Sequence, residues 1–569
     1  MERPLVSAFL MCTMIYAAPL LCGSWEFLLT WDDSINFVEN EVISRLDWRH
    51  FRAMLCEVRI GVYEPLAHLL KAMVFAACGL NSQCVRLITL TLHAASCYVL
   101  RQVSIDLLAL LLDSLEPKAT SLGCTLSAFL YFIHPLNVEV VAWPSAQPYA
   151  LALFFVSMCY YVHVANWSRP GIKASSTYAL ARRLLPTVLY GCAVLSKSVA
   201  VLAPAGLVFI DVLICLKRPS INPSLRWHVL QLLRGFFGFG VVGAMAVWAM
   251  VASNKGGDTW EADPLHIPFH ECIVKAFVMI SWTIRTFVWP TELRAHYSLL
   301  PGDMNFSTNS TSLLSLVACI GITMWSLSRR AVCPSALAAW TYSVVMLLPV
   351  CGLVQHGIIT LTADRYVYFP TLVAIPLLGA GIAHATKLGI NSCLVSFTAI
   401  FLAFALLSAR QMNTWRNDET LWLHNIKQDP ADWRALDHLA DYYARVGRVA
   451  ESPPYWERSL WHMPRTGVKA KLQQARLLMY LGRYDEGCAL YESELQRHPR
   501  STHLLNNVGV CHMRSSKYAL AKQSFQDAVE FAVGLAGDVG GVDTSTPQLN
   551  LRQLEAWDGQ ADYHANLMW

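Results

Sequence analysis

Residues 29–40 read LTWDDSINFVEN, with two adjacent carboxylates, Asp32 and Asp33, set among aromatic and aliphatic side chains. An acid pair just outside an apolar run has two uses. It is a solvated loop, or it supplies a general base beside a membrane-borne substrate. An apolar wall raises the proton affinity of a carboxylate, and two neighbouring acids push their titrations apart. Three other stretches carry ionisable groups in apolar surroundings. In FIHPLNVEVVAWPSAQ, His134 and Glu139 sit at a turn between apolar runs, and Glu139 inside such a run needs a partner. In LSKSVAVLAP, Lys197 either snorkels to an interface or meets an anionic lipid phosphate. In LPVCGLVQHGIITLTADRYVYFP, Asp364, Arg365 and Tyr366 open an apolar run. Arginine suits two-pronged phosphate recognition, and a local Asp–Arg pair at a helix start is the alternative. His93 lies mid-run beside small residues and reads as a buried, hydrogen-bonded histidine. No Gly-rich phosphate loop, nucleophile elbow or metal-ligand spacing is present, so the residues demand no metal or other cofactor.

The elements that must position these groups are membrane helices. The chain has 569 residues, 55% of them hydrophobic and 15% charged, with a mean hydropathy of +0.38. A soluble chain carries about 25% charged residues. The deficit lies before about residue 410, so an all-α, polytopic membrane domain (1–410) precedes a polar C-terminal part. The net charge of +4 is too small to suggest nucleic acid. The 17 cysteines are scattered singly and suggest neither a disulfide framework nor a zinc site.

Apolar runs at Leu5–Cys22, Val85–Leu107, Leu122–Ile133, Ala146–Ala165, Leu184–Leu195, Val201–Leu216, Val229–Ala252, Leu313–Leu327, Leu337–Leu353, Tyr366–His384 and Cys393–Leu407 predict about eleven spans. Arg45–Cys56 reads as an amphipathic interfacial helix, and Pro65–Leu80 as a short interfacial or re-entrant one. Cys272–Trp289, interrupted by Lys275 and Arg285, is read as non-spanning. With the N-terminus cytoplasmic, Arg182-Arg183, Lys217-Arg218 and Arg329-Arg330 share one face, as the positive-inside rule requires. Asp32-Asp33, the 253–312 loop and the C-terminus then face the lumen. So do the glycosylation sequons at Asn305 and Asn309, while the one at Asn166 does not.

The C-terminal part repeats. Pro430, Pro464 and Pro499 are 34 and 35 residues apart, Gly447-Arg448 recurs as Gly482-Arg483, and Tyr484 recurs as Tyr518. This is the tetratricopeptide period, a helix–turn–helix unit of 34 residues. It predicts a short α-solenoid of about three repeats over 411–533, the first degenerate at Pro453-Pro454, followed by a disordered tail over 534–569.

WDDSINFVEN, YEPL at Tyr63–Leu66, HPLNVEVVAW, LLSKSVAV, LLPVCGLVQ and ADRYVYFP, in that order and followed by the repeats, resemble the transmembrane and tetratricopeptide repeat-containing O-mannosyltransferases, glycosyltransferases of the GT-C fold. Ser198 departs from the eukaryotic pattern, which tends to have Glu after the lysine. The resemblance implies transfer of mannose from dolichyl-phosphate-mannose to Ser/Thr hydroxyls of lumenal proteins in the endoplasmic reticulum membrane. It implies that Asp32 or Asp33 is the base. Arg365 and Lys197 would face the lipid phosphate, with His134, Glu139, Asp364 and Tyr366 around the same pocket, and the repeats would present the acceptor. The competing readings are a non-catalytic membrane scaffold recruiting lumenal proteins through the repeats, and a transporter. The transporter is disfavoured because no internal repeat crosses the membrane half and the acids cluster on one face.

Overall fold

The computed structural model describes residues 13–56, 58, 62–168, 176–217, 237–249, 267–300, 302–306, 309–353, 360–465, 467–538 and 545–556. These are helical throughout, joined by short loops. Helix α1 covers 13–21, α2 is Trp48–Cys56, α3 Pro65–Cys78, α4 Ser82–Leu111, α5 Pro117–Phe132, α6 Val138–Ala142, α7 Gln147–Ser168, α8 Ser176–Ser196 and α9 Pro204–Lys217. Then come α10 (Phe237–Ala249), α11 (Phe269–Val288), α12 (Ser310–Ser328), α13 (Pro334–Leu347) and α14 (Ala374–Thr414). Among the described residues, five helices are long and apolar enough to cross a membrane, or six if the bent pair Pro117–Phe132 and Pro135–Ala142 is one span. The expected runs at Leu184–Leu195 and Leu337–Leu353 form shorter apolar helices, Leu184–Ser196 and Pro334–Leu347. Residues 5–12 of Leu5–Cys22, and 229–236 and 250–252 of Val229–Ala252, lie outside the described residues. The Tyr366–His384 run does not start as a helix at Tyr366: two short 3-10 turns, Asp364–Val367 and Pro370–Val373, precede α14. Pro370 supplies no N–H to a continuous ladder.

Packing between helices rests on small residues, as expected where lipid supplies no hydrophobic drive. Helices α5 and α14 lie side by side because Gly123 and Gly379 let their backbones meet. A Cβ at Gly123 would stand 2.2 Å from the Gly379 carbonyl oxygen. The α5–α6 pair bends by 52° around Pro135, and His134 caps the turn. The bend turns Glu139 into the protein, where it is fully buried.

The C-terminal part is a run of helices: α15 (Asp418–Gln428), α16 (Trp433–Arg445), α17 (Pro453–His462), α18 (Val468–Tyr480), α19 (Tyr484–Arg497), α20 (Thr502–Arg514), α21 (Tyr518–Asp538) and α22 (Ser545–Ala556). Gly447 and Gly482, which follow α16 and α18, take φ of 82° and 75°, a conformation glycine reaches without strain. Pro453 and Pro454 begin α17 instead of breaking it, where their missing N–H groups cost nothing. The tail expected to be disordered carries α22, because Leu551 and Leu554 pack on Val510, Met513 and Phe525 and Asn550 bonds Asn506 at 2.9 Å. The cysteines also differ from expectation. Cys78–Cys84 joins α3 to α4, and Cys488–Cys511 joins α19 to α20. Single scattered cysteines give no pairing signal; the fold brings these four together.

Candidate functional site

The two aspartates have different fates. Asp33 is fully buried and acts as a bracket. Its Oδ2 accepts from the Leu28 amide at 2.9 Å, and its Oδ1 accepts from the Ser145 amide at 3.0 Å and from the Ser145 hydroxyl. It ties the acid loop to the α6–α7 turn. Burial pushes its proton affinity up to about 6, although those bonds and the Arg86 charge oppose the rise. Asp32 is half-buried, and its carboxylate accepts no hydrogen bond among the described residues. Burial raises its proton affinity as well, against the pull of Arg365, Lys197 and Lys71. An unbonded carboxylate with raised basicity and three cations around it is equipped to take a proton beside an anion.

Each cation has its own holder. Arg365 lies on the Asp364–Val367 turn, and its guanidinium pairs with Glu139 while its amide donates to Glu139 Oε2 at 2.6 Å. The guanidinium also lies 5.0 Å from the ring centres of Trp143 and Tyr366. Burial works against its charge, but Glu139 outweighs burial and holds the proton more tightly than usual. Lys197 follows α8 and pairs with Glu64 Oε1 at 2.5 Å, over the Tyr149 ring at 5.1 Å. Its proton is likewise held above the ordinary range, with Glu64 and Tyr149 overcoming burial. Lys71, on α3, donates to Asn36 Oδ1 at 2.7 Å and lies 5.2 Å from the Phe37 ring centre. Asn36 is four residues beyond Asp32 and also donates to Ser145 Oγ at 3.2 Å. Asp364 Oδ1 accepts from the Tyr297 hydroxyl at 2.6 Å; burial first, then the Glu139 charge, push its proton affinity well up.

The structure thus brings Asp32, Asp33, Glu139, Lys197, Asp364, Arg365 and Tyr366 into one neighbourhood. His134 is occupied elsewhere. Its Nδ1 accepts from the Leu136 amide at 3.3 Å, its Nε2 donates to the Phe287 carbonyl at 2.9 Å, and its ring stacks on Phe287. It is a cap that shapes the α5–α6 bend. His93 bonds Tyr368 and the Phe132 carbonyl, as a buried histidine should.

Glu64, Lys71, Asn36 and Tyr149 complete the cluster and were not singled out as site residues from the sequence. Lys71 gave a signal there, a lysine inside the apolar PLAHLLKAMVF. Glu64 gave one only through its neighbour Pro65. The cluster sets the carboxyl groups of Asp32, Asp33, Glu64, Glu139 and Asp364 beside the cations of Lys71, Lys197 and Arg365. Among the described residues no group of three or more His, Cys, Asp or Glu side chains could hold a metal ion. Compared with models of known protein families and with curated proteins, the chain matches none.

Proposed function

We propose that the protein is a GT-C-type membrane O-mannosyltransferase that moves mannose from dolichyl-phosphate-mannose to Ser/Thr hydroxyls of lumenal proteins. The observation that carries this reading is the Asp32 carboxylate, unbonded and ringed by Arg365, Lys197 and Lys71. In the reaction, the acceptor hydroxyl oxygen attacks the anomeric carbon of the sugar. The bond from that carbon to the phosphate oxygen breaks, and its electron pair leaves with the dolichyl phosphate. The hydroxyl proton passes to Asp32, and the anomeric configuration inverts. Arg365, Lys197 and Lys71 stabilise the charge that develops on the leaving phosphate. Glu139 and Glu64 hold two of those cations in place, and Asp33 holds the loop that carries Asp32.

The remaining parts of the reading follow from it. The 411–533 helices serve as tetratricopeptide repeats that bind the acceptor, and about eleven spans place them with the site on the lumenal face of the endoplasmic reticulum membrane. The Cys78–Cys84 and Cys488–Cys511 disulfides support that face, since disulfides persist in oxidising compartments. The experiment is transfer of labelled mannose from dolichyl-phosphate-mannose to Ser/Thr peptide pools by the purified full-length protein. Transfer by wild type that Asp32→Asn abolishes supports the reading. Consumption of no lipid-linked sugar, with acceptor proteins still bound, would favour the scaffold instead.

A further inference from the structure

Helix α15 opens the C-terminal part, yet one of its faces is built into the site. Asp418, Trp422 and Asn425 are spaced i, i+4, i+7 and so share a face, and all three are buried. At the N-terminal end of that face, Asp418 Oδ2 accepts from the Leu29 amide at 2.9 Å and Oδ1 accepts from the Thr30 hydroxyl at 2.6 Å. Trp422 Nε1 donates to that same hydroxyl oxygen at 2.7 Å, and its ring meets Trp31 edge-on at 5.2 Å. Thr30 and Trp31 lead directly into Asp32. At the other end, Asn425 Oδ1 accepts from the His296 amide at 3.1 Å, and Asn425 Nδ2 donates to Asp432 Oδ2 at 2.6 Å. Asp432 in turn holds His296 Nδ1 at 2.9 Å. The next residue, Tyr297, donates its hydroxyl to Asp364 and accepts at its carbonyl from the Leu361 amide at 2.9 Å. Asp364 leads directly into Arg365.

From this geometry we propose that α15 is a brace that fixes the acid loop against the Arg365 turn, with Asp418, Trp422 and Asn425 as positioning residues of the site. Each segment holds only a single short helical turn, Ser34–Val38 in one and Asp364–Val367 in the other. The acid loop hydrogen-bonds to this helix directly and the Arg365 turn reaches it through His296 and Tyr297, so the helix sets the separation of Asp32 and Arg365. A displacement of about 1 Å in such a pair costs about 100-fold in rate. The proposal rests on the transferase reading for its effect on rate, but not for its effect on structure.

The test uses the full-length protein in lipid nanodiscs. Thr30→Val keeps the side-chain shape and removes both bonds of the hydroxyl to α15, leaving the Leu29 and Thr30 amides on Asp418; Thr30→Ser keeps the hydroxyl; Asn425→Leu removes the far contact. With dolichyl-phosphate-mannose and a Ser/Thr peptide, Thr30→Val and Asn425→Leu are expected to lose about 10- to 100-fold in kcat with donor KM unchanged, and Thr30→Ser to stay near wild type. Amide hydrogen exchange is expected to quicken at residues 28–33 and 361–366 in both impaired variants, the Asn425 change reaching 28–33 although it touches no residue there. If both variants transfer at the wild-type kcat while Asp32→Asn is dead, the brace is wrong and the transferase reading stands. If Asp32→Asn transfers normally, the assignment of Asp32 as base falls; if wild type transfers no mannose, the transferase reading falls. Exchange then judges the brace alone, and unchanged exchange at both segments in Asn425→Leu overturns it. Should Asn425→Leu fail to fold, Thr30→Val decides by the same readouts.

Discussion

Replacing Asp32 and Asp33 one at a time by Asn separates the proton acceptor from the bracket. The Asp32 carboxylate accepts no hydrogen bond among the described residues, so Asp32→Asn breaks none and should leave thermal stability close to wild type. In the proposed reaction it removes the base. General base catalysis contributes about 10²- to 10⁴-fold, so kcat should fall by that factor, equivalent to about 3–5 kcal/mol of barrier. The change also makes the ring of Arg365, Lys197 and Lys71 more positive, so donor KM should stay level or fall. Asp33→Asn works differently. The displacement of Asp33 from 3.8 to about 6 means that burial of its charge costs about 3 kcal/mol at neutral pH, and a neutral amide relieves that. Against the gain, the amide NH₂ must face either Leu28 N–H or the Ser145 donors, leaving one donor unmatched at about 1–3 kcal/mol. The terms nearly cancel, so stability should move by no more than about 2 kcal/mol, and kcat should fall less than in Asp32→Asn. The assay is single-turnover transfer of labelled mannose by protein in nanodiscs, with a melting curve for each variant. Wild-type kcat in Asp32→Asn, or a folded Asp33→Asn that is as inactive as Asp32→Asn, refutes the division of roles.

The proton held by Asp33 has a pH signature: the unfolded carboxyl loses its proton near 3.8 and the folded one near 6, so stability is lost as pH rises from about 4 to about 6. The difference in melting temperature between wild type and Asp33→Asn across that range measures it, and a flat difference contradicts it. Glu64→Gln strands the half-buried Lys197 ammonium and should destabilise by up to about 3 kcal/mol; Lys197→Met added to it should restore part of the loss in a double-mutant cycle. Cys488→Ser should lower the stability of the C-terminal helices by about 3 kcal/mol, from a cross-link spanning 23 residues, as read by limited proteolysis with and without reductant. In sealed microsomes, the exposed Cys333 should react with an impermeant maleimide added outside, while Cys22 and Cys56, also exposed, should react only after permeabilisation; labelling of all three from outside rejects the proposed orientation.

Local pattern made part of this molecule legible. Apolar runs predicted helices that the structure contains, such as α4, α7 and α12, because a run of about 20 apolar residues has few other solutions. The same logic separated Cys272–Trp289, which carries Lys275 and Arg285, from the helices able to cross a membrane. Candidate groups were visible as charges in apolar surroundings, and besides Asp33 six of the remaining seven gather around Arg365 and Glu139 or act on them: Asp32, Glu139, Lys197, Asp364, Arg365 and Tyr366. His134 showed the limit of that signal. A histidine before proline is equally suited to capping a turn, and its partner, the Phe287 carbonyl, lies 153 residues away.

What separated Asp32 from Asp33 was not in their own stretch. Ser145, which claims Asp33, is 112 residues further on, and Asp418, which anchors Thr30, is 388 residues from it. Hydrogen bonds between such distant segments form only once the helices have packed, and no periodicity encodes them. The same reasoning explains why a division at residue 410 reads well as composition and poorly as mechanics. The charged residues rise there because the chain leaves the apolar region. Yet Asp418, Trp422 and Asn425 are buried against loops from the membrane part. A C-terminal part joined only by its linker would leave that face of α15 polar and exposed. Burying a carboxylate, an amide and a tryptophan on it is rewarded only if the acid loop and the His296 segment are there to meet them, so the site and the first helix of the C-terminal part are one cooperative unit.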